Sequence, residues 1–364
     1  MLINFKQPYL TENIITYIGN KRKLLSEISN VVDGILEKNT SFESCLDAFS
    51  GSGIVSRLFR LKGFTVYAND LEDYTLPINR AFLTLTADPL SATDYQLLNN
   101  INSTSAPYFS KHYAPQITTS PDLLNERLFY SHENAVFIDG VLETIQGWPQ
   151  NKKDAVLASL LYRMSKNINT SGVMKGFYNG FGGPKKQNLG RILDRIKIEP
   201  IDYIDKPVGV VFQSRAEELY LKTNCPAVDI AYLDPPYNGH QYSSNYHLLN
   251  SAVKYDFYDP GHPAEKKSKV GIRKDHNRSD FCYKDKAKAS FESLFNTIQS
   301  KYLIISYNNE GLLSIDEVKD LLSFRSSEIT ILSKDYKKFA GGYGGYNNTI
   351  GNKVQEFFIV AKLK

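Results

Sequence analysis

Between Lys23 and Lys38 the apolar residues Leu24, Leu25, Ile28, Val31, Val32, Ile35 and Leu36 recur at three- and four-residue steps, with charges opposite. That period predicts an amphipathic helix. The pattern then changes. "FESCLDAF" is a short apolar run that stops at the glycine turn "SGSG". "IVSRLFRLKG" returns to helical spacing and ends at Gly63, and "FTVYAND" is a second strand-like run. Strand, glycine turn, helix and strand in that order predict a right-handed βαβ unit.

From Pro77 to Lys206 strand-like runs are scarce, and "PDLLNERLFYSHENAVFIDGVLETIQGW" and "KKDAVLASLLYRMSKNI" carry helical patterns. A polar, basic, glycine-rich stretch, "NTSGVMKGFYNGFGGPKKQN", follows them. Strand patterns resume at Val208 with "VGVVFQ", "DIAYLD", "YLIISYN" and "QEFFIVAKL". The expected architecture is α/β, with one sheet assembled from residues 1–76 and 207–364 around a mostly helical insertion, 77–206. Asn238 to about Lys286 is polar and reads as a long loop, a length usually tied to function. No internal repeat is visible, and the one low-complexity tract is "AGGYGGYNN".

The totals narrow the class. The 364 residues are 42% hydrophobic and 23% charged, which supports a sizeable globular core. Cys45, Cys225 and Cys282 are odd in number and widely spaced, which suits a reducing cytoplasm and suggests neither a disulfide framework nor a metal site. The start "MLINFKQPYLTEN" lacks the basic and apolar regions of a signal peptide, and no apolar run is long enough to cross a membrane. A net charge of +4 permits a nucleic-acid partner without demanding one.

Candidate chemistry sits at two strand ends. The first delivers Asp47, then Phe49 and the glycines of "FSGSG", Gly51 and Gly53, then a helix. The spacing of a dinucleotide loop is missing, and so is the Gly-Lys-Ser/Thr ending of a P-loop. The turn instead suits a ligand with an amino-acid end and an adenosine end, with no phosphate. Asp47 is suited to accept from an ammonium or a backbone amide. Asp70, about twenty residues beyond the glycines, is placed to accept from ribose hydroxyls. Upstream, in "TYIGNKRKLL", Lys21 at a helix start opposes the helix dipole and calls for an anion, for which a ligand carboxylate would serve. Tyr17 offers a ring for the ligand's base or for a cation.

The second strand end is "DIAYLDPPYNG". Two prolines stiffen the exit and remove two backbone donors. Asp234 and the carbonyl of Pro235 then present two acceptors, and Pro236 holds them rigid. Those acceptors suit the two N–H bonds of an exocyclic amine, and Tyr237 offers a face for the attached ring. The amine lone pair would attack a methyl on a sulfonium donor, with no metal involved. Further on lie Ser306, Tyr307 and Asn308, expected near the target pocket. The basic run Lys266, Lys267, Lys269, Arg273, Lys274 and Arg278 is expected to grip phosphates, and His276 reads as a surface histidine.

Taken together, "YIGNKRKLL", "DAFSGSG", "YAND" and "DPPY", in that order and around a long insertion, resemble the Dam-like, alpha-ordered DNA adenine N6-methyltransferase family. The resemblance implies a Rossmann-like sheet and S-adenosylmethionine as cofactor, in contact with Tyr17, Lys21, Asp70 and Asp234. It implies double-stranded DNA as partner, base flipping, and an insertion that reads the target. It also points to a restriction-modification setting with a cognate endonuclease, or to an orphan or phage methylase. Tyr17 stands where the family often has tryptophan, and Asn20 where a second glycine is common. Glu217 is the implied acid for the cofactor's adenine. RNA adenine as acceptor, or a catalytically silent nucleic-acid binder, are the alternative readings.

Overall fold

The computed structural model describes residues 3–336 and 354–364; the "AGGYGGYNN" tract lies outside them. The first amphipathic pattern forms helix α1, Leu25–Leu36, preceded by a 3-10 turn at Lys21–Leu24. Strand β1 spans Ser44–Asp47, α2 Ile54–Leu61 and β2 Thr65–Asp70. Helices α3 (Thr75–Thr84), α4 (Ala92–Asn99), α5 (His132–Thr144) and α6 (Gln150–Lys166) follow. Strands return as β3, Val210–Gln213, and β4, Val228–Leu233. Beyond β4 come α7 (His247–Lys254), α8 (Ala287–Thr297), β5 (Ser300–Asn308), α9 (Ile315–Ser323), β6 (Ser326–Tyr336) and β7 (Val354–Leu363).

The seven strands form one sheet in the order β3-β2-β1-β4-β5-β7-β6. The pairings from β3 through β5 are parallel; β7 runs antiparallel between β5 and β6. Alternation explains the layers, since successive strand residues face opposite sides. Cys45, Ile230, Tyr232 and Ile304 enter one core, and Leu46, Ala231, Leu233, Leu303 and Ile305 the other. The first core is continuous with the helical segment: Ile78 and Phe82 of α3, Ile138 and Val141 of α5, and Leu160 and Met164 of α6 belong to it.

Strand order reverses at β1, which lies between β2 and β4 with Asp47 beside Tyr232. A crevice opens at the carboxyl ends of strands at such a switch point. The chain therefore brings the glycine turn, Asp70 and the Asp-Pro-Pro-Tyr corner to one end of the sheet.

Two expectations are corrected. The segment after Asn238 is not one loop: it folds at once into a helical turn, Tyr242–Asn245, and then α7, whose His247, Leu248, Leu249 and Asn250 are buried. Strand β6 was not expected at all. Its sequence, "SSEITILSKDY", lacks an apolar face, because it is the outermost strand and leaves Ile331 and Leu332 exposed. Among the described residues no helix is long and apolar enough to cross a membrane.

The helical segment is tied to the sheet by Arg60 of α2, which is wholly buried. Its guanidinium donates to the carbonyls of Phe82 and Leu85, where the segment departs, and of Ile204, Lys206 and Pro207, where it returns. Arg60→Met strands several of these carbonyls without a donor. A loss of about 3–5 kcal/mol in stability is expected, measurable by urea unfolding.

Candidate active site

The turn after β1 is built by close packing. Gly51 and Gly53 have φ of +48° and +76°, a region that favours glycine. A Cβ at Gly51 would meet the Tyr17 ring at 3.0 Å, and one at Gly53 would sit 2.6 Å from the Asn79 side-chain oxygen. The Gly51 N–H donates to Asp70 Oδ2 at 2.7 Å, while Asp70 Oδ1 accepts from the Glu72 N–H at 3.0 Å. The glycine turn and the acid ending β2 thus form one unit. Asp47 lies beneath it, accepting from the Ser56 hydroxyl at 2.6 Å, and burial pushes its carboxyl up to about 7. Among the described residues no ammonium pairs with Asp47, and it does not line the cleft; through Ser56 it holds α2 to β1.

A cleft of about 720 Å³, open to solvent, lies over these strand ends. Tyr17, Phe49, Asp70, Glu72, Glu217, Asp234, Pro235, Pro236 and Tyr237 all line it. Burial raises Glu72 to about 8, against which Asn250 donates at 2.7 Å, and burial also raises Asp70 and Glu217. Arg215, also in the lining, lies 3.5 Å from Glu217 and 3.6 Å from Asp280. Acids therefore outnumber bases here. Such a donor set repels a pyrophosphate and fits a cationic, ribose-bearing ligand.

Tyr17 lines the cleft. Its ring stacks with Tyr242 at 5.1 Å and Tyr246 at 5.2 Å, and those two rings stand 6.3 Å from each other, so the three form one cluster and do not sandwich Tyr17. Those two rings are fixed in turn through their hydroxyls, which bond the carbonyl and amide of Ile18.

The corner after β4 carries the densest charge. Lys21, 3% exposed, places its ammonium 3.0 Å from Asp234 Oδ1 and 2.8 Å from Glu356 Oε1 on β7. The anion that Lys21 required is thus supplied by the protein, not left to a ligand carboxylate. Glu356 also accepts from the Ser306 hydroxyl at 2.7 Å. Burial, more than its charged neighbours, sets Asp234 at about 6; Lys21 pulls it down and Glu356 pushes it up. For Lys21 burial acts downward, yet Asp234, Tyr237 and Glu356 outweigh it and the ammonium is held well above its usual range. Among the described residues, no protein group donates to Asp234 Oδ2 or to the Pro235 carbonyl. Tyr237 is braced edge-on by Tyr307 at 6.1 Å, and its carbonyl accepts from Leu312 N–H at 3.1 Å. Ser306 and Tyr307 support the corner from behind, and neither they nor Asn308 line the cleft.

The basic run divides. Lys266, Lys267, Lys269, Lys274 and Arg278 are exposed. Arg273 is 2% exposed and bonds Asp256 and Asp275 through both faces of its fork. It shapes the loop instead of meeting phosphate, because its charge is already neutralised. Arg127, from the helical segment, clamps the same loop through the carbonyls of Pro260, Gly261, Ser268 and Lys269. His276 is half-buried and bonds the Arg273 carbonyl.

Sequence reading missed Glu72, Glu356 and Arg127. A second acid two residues past Asp70, and a lone acid inside the apolar run "QEFFIVAKL", were the available signals for the first two. Among the described residues no cluster of three or more His, Cys, Asp or Glu could hold a metal ion.

Comparison with known proteins bears on this site. The profile of the D12 class N6 adenine-specific DNA methyltransferases matches residues 17–321. The type II methyltransferase M.NlaIII of Neisseria lactamica is 30% identical over 94% of this chain and 98% of its own length. The type II methyltransferase M.CviAII of Paramecium bursaria Chlorella virus 1 is 28% identical over 95% and 97%, respectively. The modification methylase LlaI of Lactococcus lactis subsp. lactis is 28% identical over 95% of this chain, which spans 54% of that relative.

The raised carboxyls give a pH test. Glu72 in the folded protein holds its proton up to about 8, against an ordinary value of 4.5. The folded state therefore binds more protons than the unfolded chain across that window, and stability falls as pH rises through it. Glu72→Gln is expected to flatten the decline. Melting temperatures of the two proteins, compared at about pH 5.5 and about pH 8.5, check this: the variant should gain on the parent only at the higher pH.

Proposed function

The chain belongs to the D12 class N6 adenine-specific DNA methyltransferase family, and from that premise we propose that it methylates the exocyclic amine of adenine, flipped out of duplex DNA, with S-adenosylmethionine as donor. The observation that carries this reading is the pair of acceptors, Asp234 Oδ2 and the Pro235 carbonyl, that take no donor among the described residues and stand on a proline-stiffened corner lining the cleft. An adenine amine has two N–H bonds and a lone pair delocalised into the ring. Acceptors on both bonds draw charge onto nitrogen and favour tetrahedral geometry, an electrostatic and positioning effect. Tyr237 stacks on the base, a contact worth about 1–3 kcal/mol. As the nitrogen becomes cationic, Asp234 stabilises it, then takes one proton on Oδ2 and passes it to water.

The cofactor supplies a methyl group on positively charged sulfur. Asp70 and Glu72 are the acceptors suited to its ribose, Glu217 to its adenine, and Phe49 and Tyr17 pack against it. Gly51 and Gly53 let the backbone approach closely, while Lys21 acts on the corner through Asp234. A paired base cannot reach the cleft, so it must leave the stack. Lys266, Lys267, Lys269, Lys274 and Arg278 hold phosphates around it. Residues 77–206 form the target-recognition region, with 169–188 directed to the DNA groove. Relatives named as modification methylases support a role beside a cognate restriction endonuclease, in the cytoplasm that three free, buried cysteines suit.

Asp234→Ala is expected to lower transfer of labelled methyl to adenine by about a thousandfold or more, with melting temperature largely kept. The parent enzyme's rate should fall as pH drops through about 6, where Asp234 protonates. Asp70→Ala should weaken cofactor binding about 10- to 100-fold, the loss of charged hydrogen bonds; calorimetry with the cofactor alone measures it.

A further inference from the structure

Glu356 stands on β7, 3% exposed, and its Oε1 takes both the Lys21 ammonium at 2.8 Å and the Ser306 hydroxyl at 2.7 Å. It does not line the cleft and, among the described residues, meets Asp234 through Lys21. One ammonium lies between two carboxylates, so the set retains a negative charge. We propose that Glu356 is a positioning residue for methyl transfer: by sharing Lys21 with Asp234, it prevents the ammonium from neutralising Asp234 and keeps Oδ2 a strong acceptor. This rests on the reading of Asp234 as the amine's partner.

The geometry has a chemical logic. A lysine paired with a single aspartate would orient that carboxylate but draw its charge inward, away from the cleft. A second carboxylate on the far side of the ammonium divides that pull. Lys21 then fixes Asp234 Oδ1 in place, and Oδ2 keeps its basicity for the nitrogen that becomes cationic. Ser306 fixes Glu356 in place by donating to the same oxygen that meets Lys21. Among the described residues, the other titratable groups acting on Asp234 or Lys21 are Tyr237 beyond β4, Tyr232 on β4, Tyr242 before α7 and Asp47 at the end of β1.

The test is Glu356→Gln, which keeps shape and an acceptor oxygen and removes only the charge. Enzyme in excess is mixed with unmodified genomic DNA and labelled S-adenosylmethionine, and the single-turnover rate is followed across pH. The variant should be about tenfold slower near neutral pH, and its acid limb should move about one pH unit lower, as loss of a nearby like charge dictates. Cofactor affinity should stay within about twofold of the parent, since Glu356 touches no cofactor position. Ser306→Ala, which loosens Glu356 without deleting it, should shift the limb the same way by less. An acid limb unmoved in both variants overturns the proposal, whether or not the rate falls, because a merely structural role lowers rate and melting temperature without moving the limb. Should the parent protein place no methyl on adenine, the underlying reading of Asp234 fails instead.

Discussion

A single buried ammonium organises the functional end of this molecule. Lys21 comes from the segment before α1, Asp234 from the end of β4 and Glu356 from β7, and their three side chains meet within 3.0 Å contacts. Isolated, any one of them would be costly to bury. Together they lock the amino-terminal segment, the middle of the sheet and its antiparallel strand into one arrangement, and Asp234 cannot turn away from the cleft without leaving Lys21 short of a partner. The rigidity of two prolines and this ionic contact act on the same residue from opposite sides, one through backbone and one through side chain.

Arginines play a comparable role farther out, by gathering carbonyls that no helix or sheet claims. Arg60 collects those at both ends of the helical segment, and Arg127 those of the 260–269 loop. Because Arg127 itself belongs to the helical segment, the basic loop is tied to that segment as well as to the sheet, where Asn277 donates to the Leu71 carbonyl and Arg215 to that of Arg278. The parts assigned to DNA are therefore mechanically one piece with each other, and they meet the catalytic sheet through a shared apolar core.

Much of this was legible from residue order. The periodicity of Leu24 to Leu36, the turn at Gly51 and Gly53, and the strand ending in Asp234 each carry a local signal, and each appears where the pattern places it. What the pattern could not convey is long-range pairing. A run of lysines and arginines looks the same whether its members are solvated or, like Arg273, locked to Asp256 and Asp275. Tyr17 announces an aromatic contact but not that its partners are Tyr242 and Tyr246. Strand β6, at the sheet's margin, needs no apolar face and so leaves no trace of the usual kind. Glu356 is the extreme case: its partner Lys21 lies 335 residues away, and only the inserted position of β7 brings them together.

That insertion bears on how the protein is made. A ribosome delivers the glycine turn, Asp70 and the Asp-Pro-Pro-Tyr corner well before it delivers β7, so the nascent chain holds a lysine with one counter-ion instead of two. Until β7 slots in, β5 also presents an unpaired margin, a surface prone to mispairing. A premature stop codon anywhere between β5 and β7 leaves every recognisable motif intact in the polypeptide while withholding the carboxylate that completes the ionic set.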